Sequence, residues 1–434
     1  MAAMRRIALL VLLALAACAA PAGAATRPVF KEFAPPPGTA SQLTAGPDGN
    51  MWFTSSGVGN YIGRITPKGK ITAFPLPTPG ASPDFITRGP DGNLWFTELA
   101  GNKVGRITPA GVITEFPLPN PDSGPRGITA GPDGALWFVE FRGDRVGRMT
   151  TGGQLTEFPL FPGGQSVSIV TGPDRNLWFT QPGFDSIARI TTAGQVTTFG
   201  VTNASGPEGI TAGSDNALWY TEDDGDRIGR ITLDGTAKQF VTGITPGANP
   251  SRITKGADGT LWFTELAGGR VARITTTGRI SQFNVGATTK PFGIAAGPGN
   301  RIWFAKAAAN RIVRFAPPDL PGVDGVMTYA FVRNGGRTRF TAMKVEKIAR
   351  KTKLTVSCRG SGCPKRKTIR NKRTIKLGPH FRRPLGAGAR VEVRLTGPGA
   401  SPKLFLFRTR ATKAPTFQVR CLPRGAKKPR RCAR

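Results

Sequence analysis

Between Pro83 and Pro119 the chain reads PDFITRGPDGNLWFTELAGNKVGRITPAGVITEFPLP, four short runs rich in Ile, Val, Thr, Phe and Trp cut apart by turn residues. Such runs predict half-buried β-strands. Gly-Pro-Asp-Gly between the first two is tight-turn chemistry: Pro presets φ, Asp bonds its own backbone and Gly accepts a positive φ. Thr-Pro-x-Gly between the third and fourth does the same. No segment from Val29 to Phe315 sustains apolar residues at helical spacing, so helices have little support there.

The unit repeats. Trp52, Trp95, Trp137, Trp178, Trp219, Trp262 and Trp303 are spaced 43, 42, 41, 41, 43 and 41 residues apart, and they are all the tryptophans of the chain. A fixed period of this length marks a repeat architecture. Four antiparallel strands make a propeller blade, seven blades close a ring, and an open solenoid would leave two exposed edges. The prediction is all-β: a seven-bladed β-propeller over residues 29–317. Val29 to Pro35 (VFKEFAP) looks like a fourth strand with no first three, whereas Pro291 to Phe315 supplies three strands without a fourth. The two fragments are expected to complete one blade and close the ring.

Within the repeat, the Trp-Phe/Tyr pair reads as packing between blades. The third-strand arginines (Arg64, Arg106, Arg148, Arg189, Arg230, Arg273, Arg314) are expected to pair with the turn aspartates Asp48, Asp91, Asp133, Asp174, Asp215 and Asp258. The repeats differ on the other face. There the strand-opening proline is followed by Asp84, Arg126, Glu208, Ser251 or Phe292, and the third residue after Trp is Ser55, Glu98, Glu140, Gln181, Glu222, Glu265 or Lys306. Asp84, Arg126, Glu208, Lys290, Phe292 and Lys306 are therefore the candidate ligand-binding set. Glu98, Glu140, Glu222 and Glu265 form either a ring of oxygen ligands for a divalent cation such as Mg²⁺ or a solvated rim.

The repeat P-x-G-I-T-x-G-P-D-G-x-L-W-F-T-E…I/V-G-R-I-T-P-x-G…E-F-P-L-P resembles that of the streptogramin B (virginiamycin B) lyases, and more distantly NHL-repeat and gluconolactonase-like propellers. The resemblance implies a seven-bladed propeller that linearises a cyclic depsipeptide antibiotic by elimination, with a histidine base and a magnesium ion. The family's histidines stand in P-H-G-I or P-H-A-I strand openings, which match Ser251 in PSRIT and Phe292 in PFGIA. The glutamate before the last-blade proline matches Lys290. The sole histidine is His380, beyond the propeller. Neither Ser nor Phe supplies a general base, so the fold carries over and the reaction does not follow from it.

Outside the repeats, Met1 to Ala25 has a charged start (Arg5, Arg6), an apolar stretch from Ile7 to Ala17 and a small-residue cleavage site, Ala22-Gly23-Ala24. It is expected to be an export signal. Leu15-Ala16-Ala17-Cys18 also resembles a bacterial lipobox, so Cys18 is either lipidated or removed. Residues 331–434 hold 31 Lys and Arg against two acids, and the rest of the chain holds 29 against 24, so nearly all of the net +34 lies in this tail. TRFTAMKVEKI, KLTVSC, ARVEVRLT, KLFLFRTR and TFQVRC alternate polar and apolar residues, which predicts a small basic β-sandwich over 326–434. It resembles a C-terminal module of secreted actinobacterial proteins, with V-x-C-x-G-x-G-C-P early and C-L-P-x-G-A-K-K-P late. Cys358, Cys363, Cys421 and Cys432 are expected to form disulfides, Cys358–Cys363 and Cys421–Cys432 being preferred among three connectivities, with zinc as the alternative.

Two functional classes follow. One is an envelope protein: the propeller binds a small molecule or peptide, and the basic module holds an anionic wall polymer or membrane surface through residues such as Lys365, Arg366, Lys367, Lys427, Lys428, Arg430 and Arg431. The other is a diverged lyase or hydrolase opening a cyclic depsipeptide or lactone with a divalent metal. Nucleic acid is not expected, because an exported chain leaves its compartment and no aromatic ladder is evident. The chain is placed outside the cytoplasm, secreted or held at the envelope.

Overall fold

Each repeat folds as a four-stranded antiparallel meander, as its alternation dictates. The second blade shows the plan: Pro83–Arg88, Leu94–Glu98, Lys103–Ile107 and Ile113–Pro117, with Trp95 opposite Arg106 and Arg106 opposite Thr114. The computed structural model describes residues 29–201, 205–317 and most of 326–429. It contains seven such four-stranded sheets. The first strand of every blade packs against the first strands of both neighbours, the last against the first, so the ring is closed. Among the described residues the only helical segments are single 3₁₀ turns.

Closure follows the expected plan. Val29–Phe33 pairs antiparallel with Arg311–Ala316 as the outermost strand of the seventh blade, Val29 opposite Ala316 and Phe33 opposite Ile312. Phe30 stacks on Phe315 at 4.7 Å and Phe33 on Trp303 at 5.8 Å. The N-terminal strand thus buries aromatic surface that would otherwise face water, worth about 2–3 kcal/mol per ring.

The blades adhere through a belt built once per repeat. In each blade the second-strand Trp stacks on a fourth-strand Phe, for example Trp95 on Phe116 at 5.4 Å and Trp137 on Phe158 at 5.5 Å. In five blades the third-strand Arg lies over that pair, Arg106 at 5.7 Å from Trp95. It also reaches the next blade: Arg64 Nη1 donates to Pro109 O at 2.8 Å and Arg106 Nη1 to Thr151 O at 3.1 Å. A glycine in each third-to-fourth turn receives the Phe of the preceding blade. At Gly111, φ is +98° and a Cβ would stand 2.2 Å from Phe74, which no other residue tolerates.

The expected Arg–Asp pairs form only in part. Arg148–Asp133 and Arg230–Asp215 close at 2.7 Å, and Arg189–Asp174 and Arg273–Asp258 stand at 3.9 Å. Arg64 and Arg106 make no such pair with Asp48 and Asp91. The turn aspartate has another duty, which is to accept the Trp Nε1–H: Asp48, Asp91, Asp133, Asp174 and Asp215 all do so at 3.0–3.1 Å. The buried Nε1 of Trp303, where Gly299 replaces the aspartate, has no partner, and neither has that of Trp262 despite Asp258.

The basic region is a sandwich. A three-stranded sheet (Val326–Asn334, Arg337–Glu346, Ile375–Lys376) faces a five-stranded sheet ordered Lys367–Arg370, Lys353–Arg359, Arg390–Thr396, Lys403–Arg408, Thr416–Cys421. Met327, Phe340, Val345, Val356, Val393 and Phe407 meet in the core between them. Val326–Asn334, Lys367–Arg370 and Ile375–Lys376 are strands beyond those expected. Cys358–Cys363 is a disulfide. Cys421 is also disulfide-bonded, and Cys432, with Cys18 and the segment 1–28, lies outside the described residues.

Candidate ligand site at the axial mouth

The innermost strands open with a β-bulge. In the second blade the register shifts between Pro83 and Ile86, which takes Asp84 and Phe85 out of the ladder; the third, fifth, sixth and seventh blades shift at the same place. Bulges re-aim side chains at sites. The freed backbone is satisfied by the second-strand threonine. Thr97 Oγ1 accepts from Phe85 N at 3.1 Å, Thr221 Oγ1 accepts from Gly209 N at 2.8 Å, and Thr221 Oγ1 donates to Ser251 O of the next blade at 2.7 Å. One hydroxyl therefore holds a bulge open and joins two blades. Ahead of each strand-opening proline the backbone is left-handed: Ser82, Gly124, Gly206, Asn249 and Lys290 all have φ between 45° and 60°.

Two ion pairs sit among these bulges. Asp84 accepts from Arg126 Nε at 3.0 Å, and the Arg126 guanidinium lies 5.3 Å from the Phe141 ring. Glu208 pairs with Arg252. The Arg252 guanidinium stands 4.5 Å from the Phe292 ring and 5.1 Å from that of Phe85. These partners come from the fifth, sixth, seventh and second blades, so Arg252 lies across the axis with 4% of its surface exposed. Ser251 Oγ is 3.4 Å from Arg252 Nη1. Nearby, burial pushes the Asp223 carboxyl above its ordinary range; Asn249 and Arg252 oppose the rise, and Glu208 and Asp224 add to it. Its Oδ1 is buried without a partner.

Of the candidate ligand set, the structure joins Asp84 to Arg126 and brings Glu208 and Phe292 to Arg252. Lys290 is exposed in the loop before Pro291. Lys306 leaves the mouth: it is buried in the seventh blade and donates to Glu32 at 2.5 Å. Arg252, Phe85 and Asp223 escaped the sequence reading. A signal for the first two existed. The second residue after the strand-opening proline is glycine in three blades (Gly127, Gly209, Gly293) because a Cβ there would stand 2.0–2.7 Å from the neighbouring strand. Phe85 and Arg252 break that rule.

The carboxylate ring does not assemble. Glu98, Glu140, Glu222 and Glu265 are fully buried, each turned into its own blade at the end of the second strand. Glu222 and Glu265 accept from Gln239 at 3.0 Å and Gln282 at 2.7 Å. Among the described residues no three His, Cys, Asp or Glu groups gather as a metal site. The four glutamates therefore fit neither a shared divalent cation nor an exposed rim. Burial, reinforced by the charge of Glu115, pushes the Glu98 carboxyl up to about 8. Glu140 is raised too, by burial, with Ser123 opposing and Glu157 adding.

A closed ring of seven four-stranded sheets whose strand openings converge around the axis defines the chain as a seven-bladed β-propeller. The chain belongs to the virginiamycin B lyase family, whose model it matches over residues 24–163 and 161–320. It is 41% identical to virginiamycin B lyase from Staphylococcus aureus, covering 67% of this chain and 100% of that one, with a TM-score of 0.64. A streptogramin B lyase structure is 36% identical over 68% of this chain and 99% of that one, TM-score 0.64. A catalytically inactive histidine-to-alanine variant of the Staphylococcus aureus enzyme with quinupristin matches at 40% identity, over 67% of this chain and 100% of that one, TM-score 0.64. None of the curated proteins matches.

Proposed function

We propose that the propeller is a binding member of the virginiamycin B lyase family, working outside the cytoplasm and taking a small molecule or peptide at its axial mouth without histidine-dependent elimination. One observation carries this reading. Phe292 and Ser251 stand at the positions matched to the family's histidines and enclose Arg252, which Glu208 already neutralises, while the only histidine of the chain, His380, belongs to the basic module. Loss of a histidine inactivates the Staphylococcus aureus relative, as its inactive variant indicates. The mouth offers aromatic faces beside balanced charges, a surface suited to an amphipathic ligand.

The test is incubation with quinupristin, with and without Mg²⁺. The ring-closed compound should be recovered unchanged, read by chromatography with tandem mass spectrometry because ring opening by elimination leaves the mass the same, while the melting temperature rises. Linearised product would overturn the reading. A second reading, a diverged lyase or hydrolase opening a cyclic depsipeptide or lactone, is favoured by Asp223 alone: a carboxyl of raised pKa beside Arg252 has the character of a general base. Loss of product formation in Asp223→Asn would then identify it.

A further inference from the structure

The outward face of the five-stranded sheet in the basic module is an open groove of about 1220 Å³. Strand register makes its lining explicit. Arg359 lies opposite Arg390, and Arg390 opposite Arg408, so three arginines form one row across three adjacent strands. The next row is Ser357, Glu392, Leu406 and Gln418. Arg394 follows, and Arg366 and Arg410 complete the rim. Residues of the opposite parity, Val356, Val391, Val393, Phe405 and Phe407, point into the core. The groove is therefore the polar face of a half-buried sheet, and its cations are arginine, not lysine.

Like charges directly opposite on neighbouring strands destabilise a sheet. Glu392 is the one carboxylate in the groove, and it is taken by Arg394 at 2.9 Å. Among the described residues, Arg359, Arg366, Arg390, Arg408 and Arg410 have no carboxylate partner. Adjacent strands lie ~4.8 Å apart, so the row offers three planar guanidinium forks along a line, the geometry that grips successive phosphate or carboxylate groups. The geometry points to a binding site for a linear polyanion that carries no bases, its acid groups laid across the strands over Arg359, Arg390 and Arg408. Single-stranded nucleic acid is disfavoured by the aromatics. Phe405 and Phe407 are each 2% exposed and offer no stacking platform. The inference stands independently of what the propeller binds.

The whole chain is titrated with long-chain inorganic polyphosphate, with polygalacturonate and with duplex DNA at equal charge. The triple variant Arg359→Gln, Arg390→Gln, Arg408→Gln is compared with a triple variant of equal charge on other strands and loops, Arg337→Gln, Lys372→Gln, Lys376→Gln. Either base-free polymer should bind at about 50 mM salt and be released by about 500 mM as counterions and screening take over. The polymer that binds tells whether phosphate or carboxylate is read. The row variant should lose at least about tenfold in affinity and the control less than about threefold. The polymer that binds should also raise the melting temperature of the unaltered chain and leave that of the row variant unmoved. Equal losses in the two variants, equal thermal shifts, tighter binding of duplex DNA, or no binding by either polymer would overturn the site.

Discussion

The belt and the mouth of the propeller are made from the same repeats and behave oppositely. In the belt, Trp, Phe and Arg recur in every blade, and the Trp–Phe stack is copied seven times. At the mouth the repeat is broken: Arg252 and Phe85 occupy positions where other blades have glycine, and Phe292 stands beside them. The contrast separates two jobs. Copies added around a ring supply stability that no single blade could. Departures from the copy give the mouth a shape found once in the ring, the shape the proposed ligand would read. Stability should therefore answer to belt changes, and recognition to changes at the mouth.

The severest test removes the closing strand. Deleting Val29–Phe33 should abolish the single cooperative transition of the propeller in calorimetry. Removing as many residues from the loop at 241–245 should shift it by only a few degrees, roughly 2–4 °C. Equal shifts would erase the distinction. Next comes Gly111→Val, which forces a side chain against Phe74 at a left-handed φ. It should cost about 3 kcal/mol in denaturant unfolding.

A smaller effect tests the buried glutamates at the ends of the second strands. The folded-state pKa of Glu98 is raised from an ordinary 4.5 to about 8. The folded chain then holds a proton that the unfolded chain releases, so its contribution is full below 4.5 and is lost as pH rises toward 8. Glu98→Gln should raise the melting temperature at pH 9 by roughly 2–4 °C and change little at pH 4. A gain independent of pH would show that the carboxyl is not protonated in the fold. The smallest effect on stability belongs to the mouth. Phe292→Leu removes one ring from Arg252, worth about 0.5–1 kcal/mol, yet it should abolish any thermal shift caused by the propeller's ligand.

The blade count, the strand order and the closing strand were legible because a repeat states its register seven times over, and the tryptophans mark each statement. The orphan run at Val29 needed only the missing fourth strand at Phe315 to be understood. The side chains at the strand ends were not legible. Spacing puts Glu98, Glu140, Glu222 and Glu265 at equivalent places, but it does not say whether equivalent means facing the axis or facing into the blade. Gln239 and Gln282, two strands away in the same blade, decide that for two of them. Arg252 meets Phe85 only because the ring closes, and no distance along the chain encodes that meeting. The arginine row in the module was hidden likewise, since its members are separated by 31 and 18 residues and only strand register aligns them.

The pairing of Val29 with Ala316 has a mechanical consequence. Because those two residues are opposite one another, the chain enters and leaves the seventh blade at the same end of the same strand pair. A pull applied between the chain segments flanking Val29 and Ala316 does not shear that pair as a block. It loads the hydrogen bonds one rung at a time, starting from Val29, and peels the outermost strand away like a zip. The ring is thus strong against swelling, because every other blade is continuous chain, and weak at one seam. A propeller held at one end and dragged at the other would yield there first, with six blades still whole.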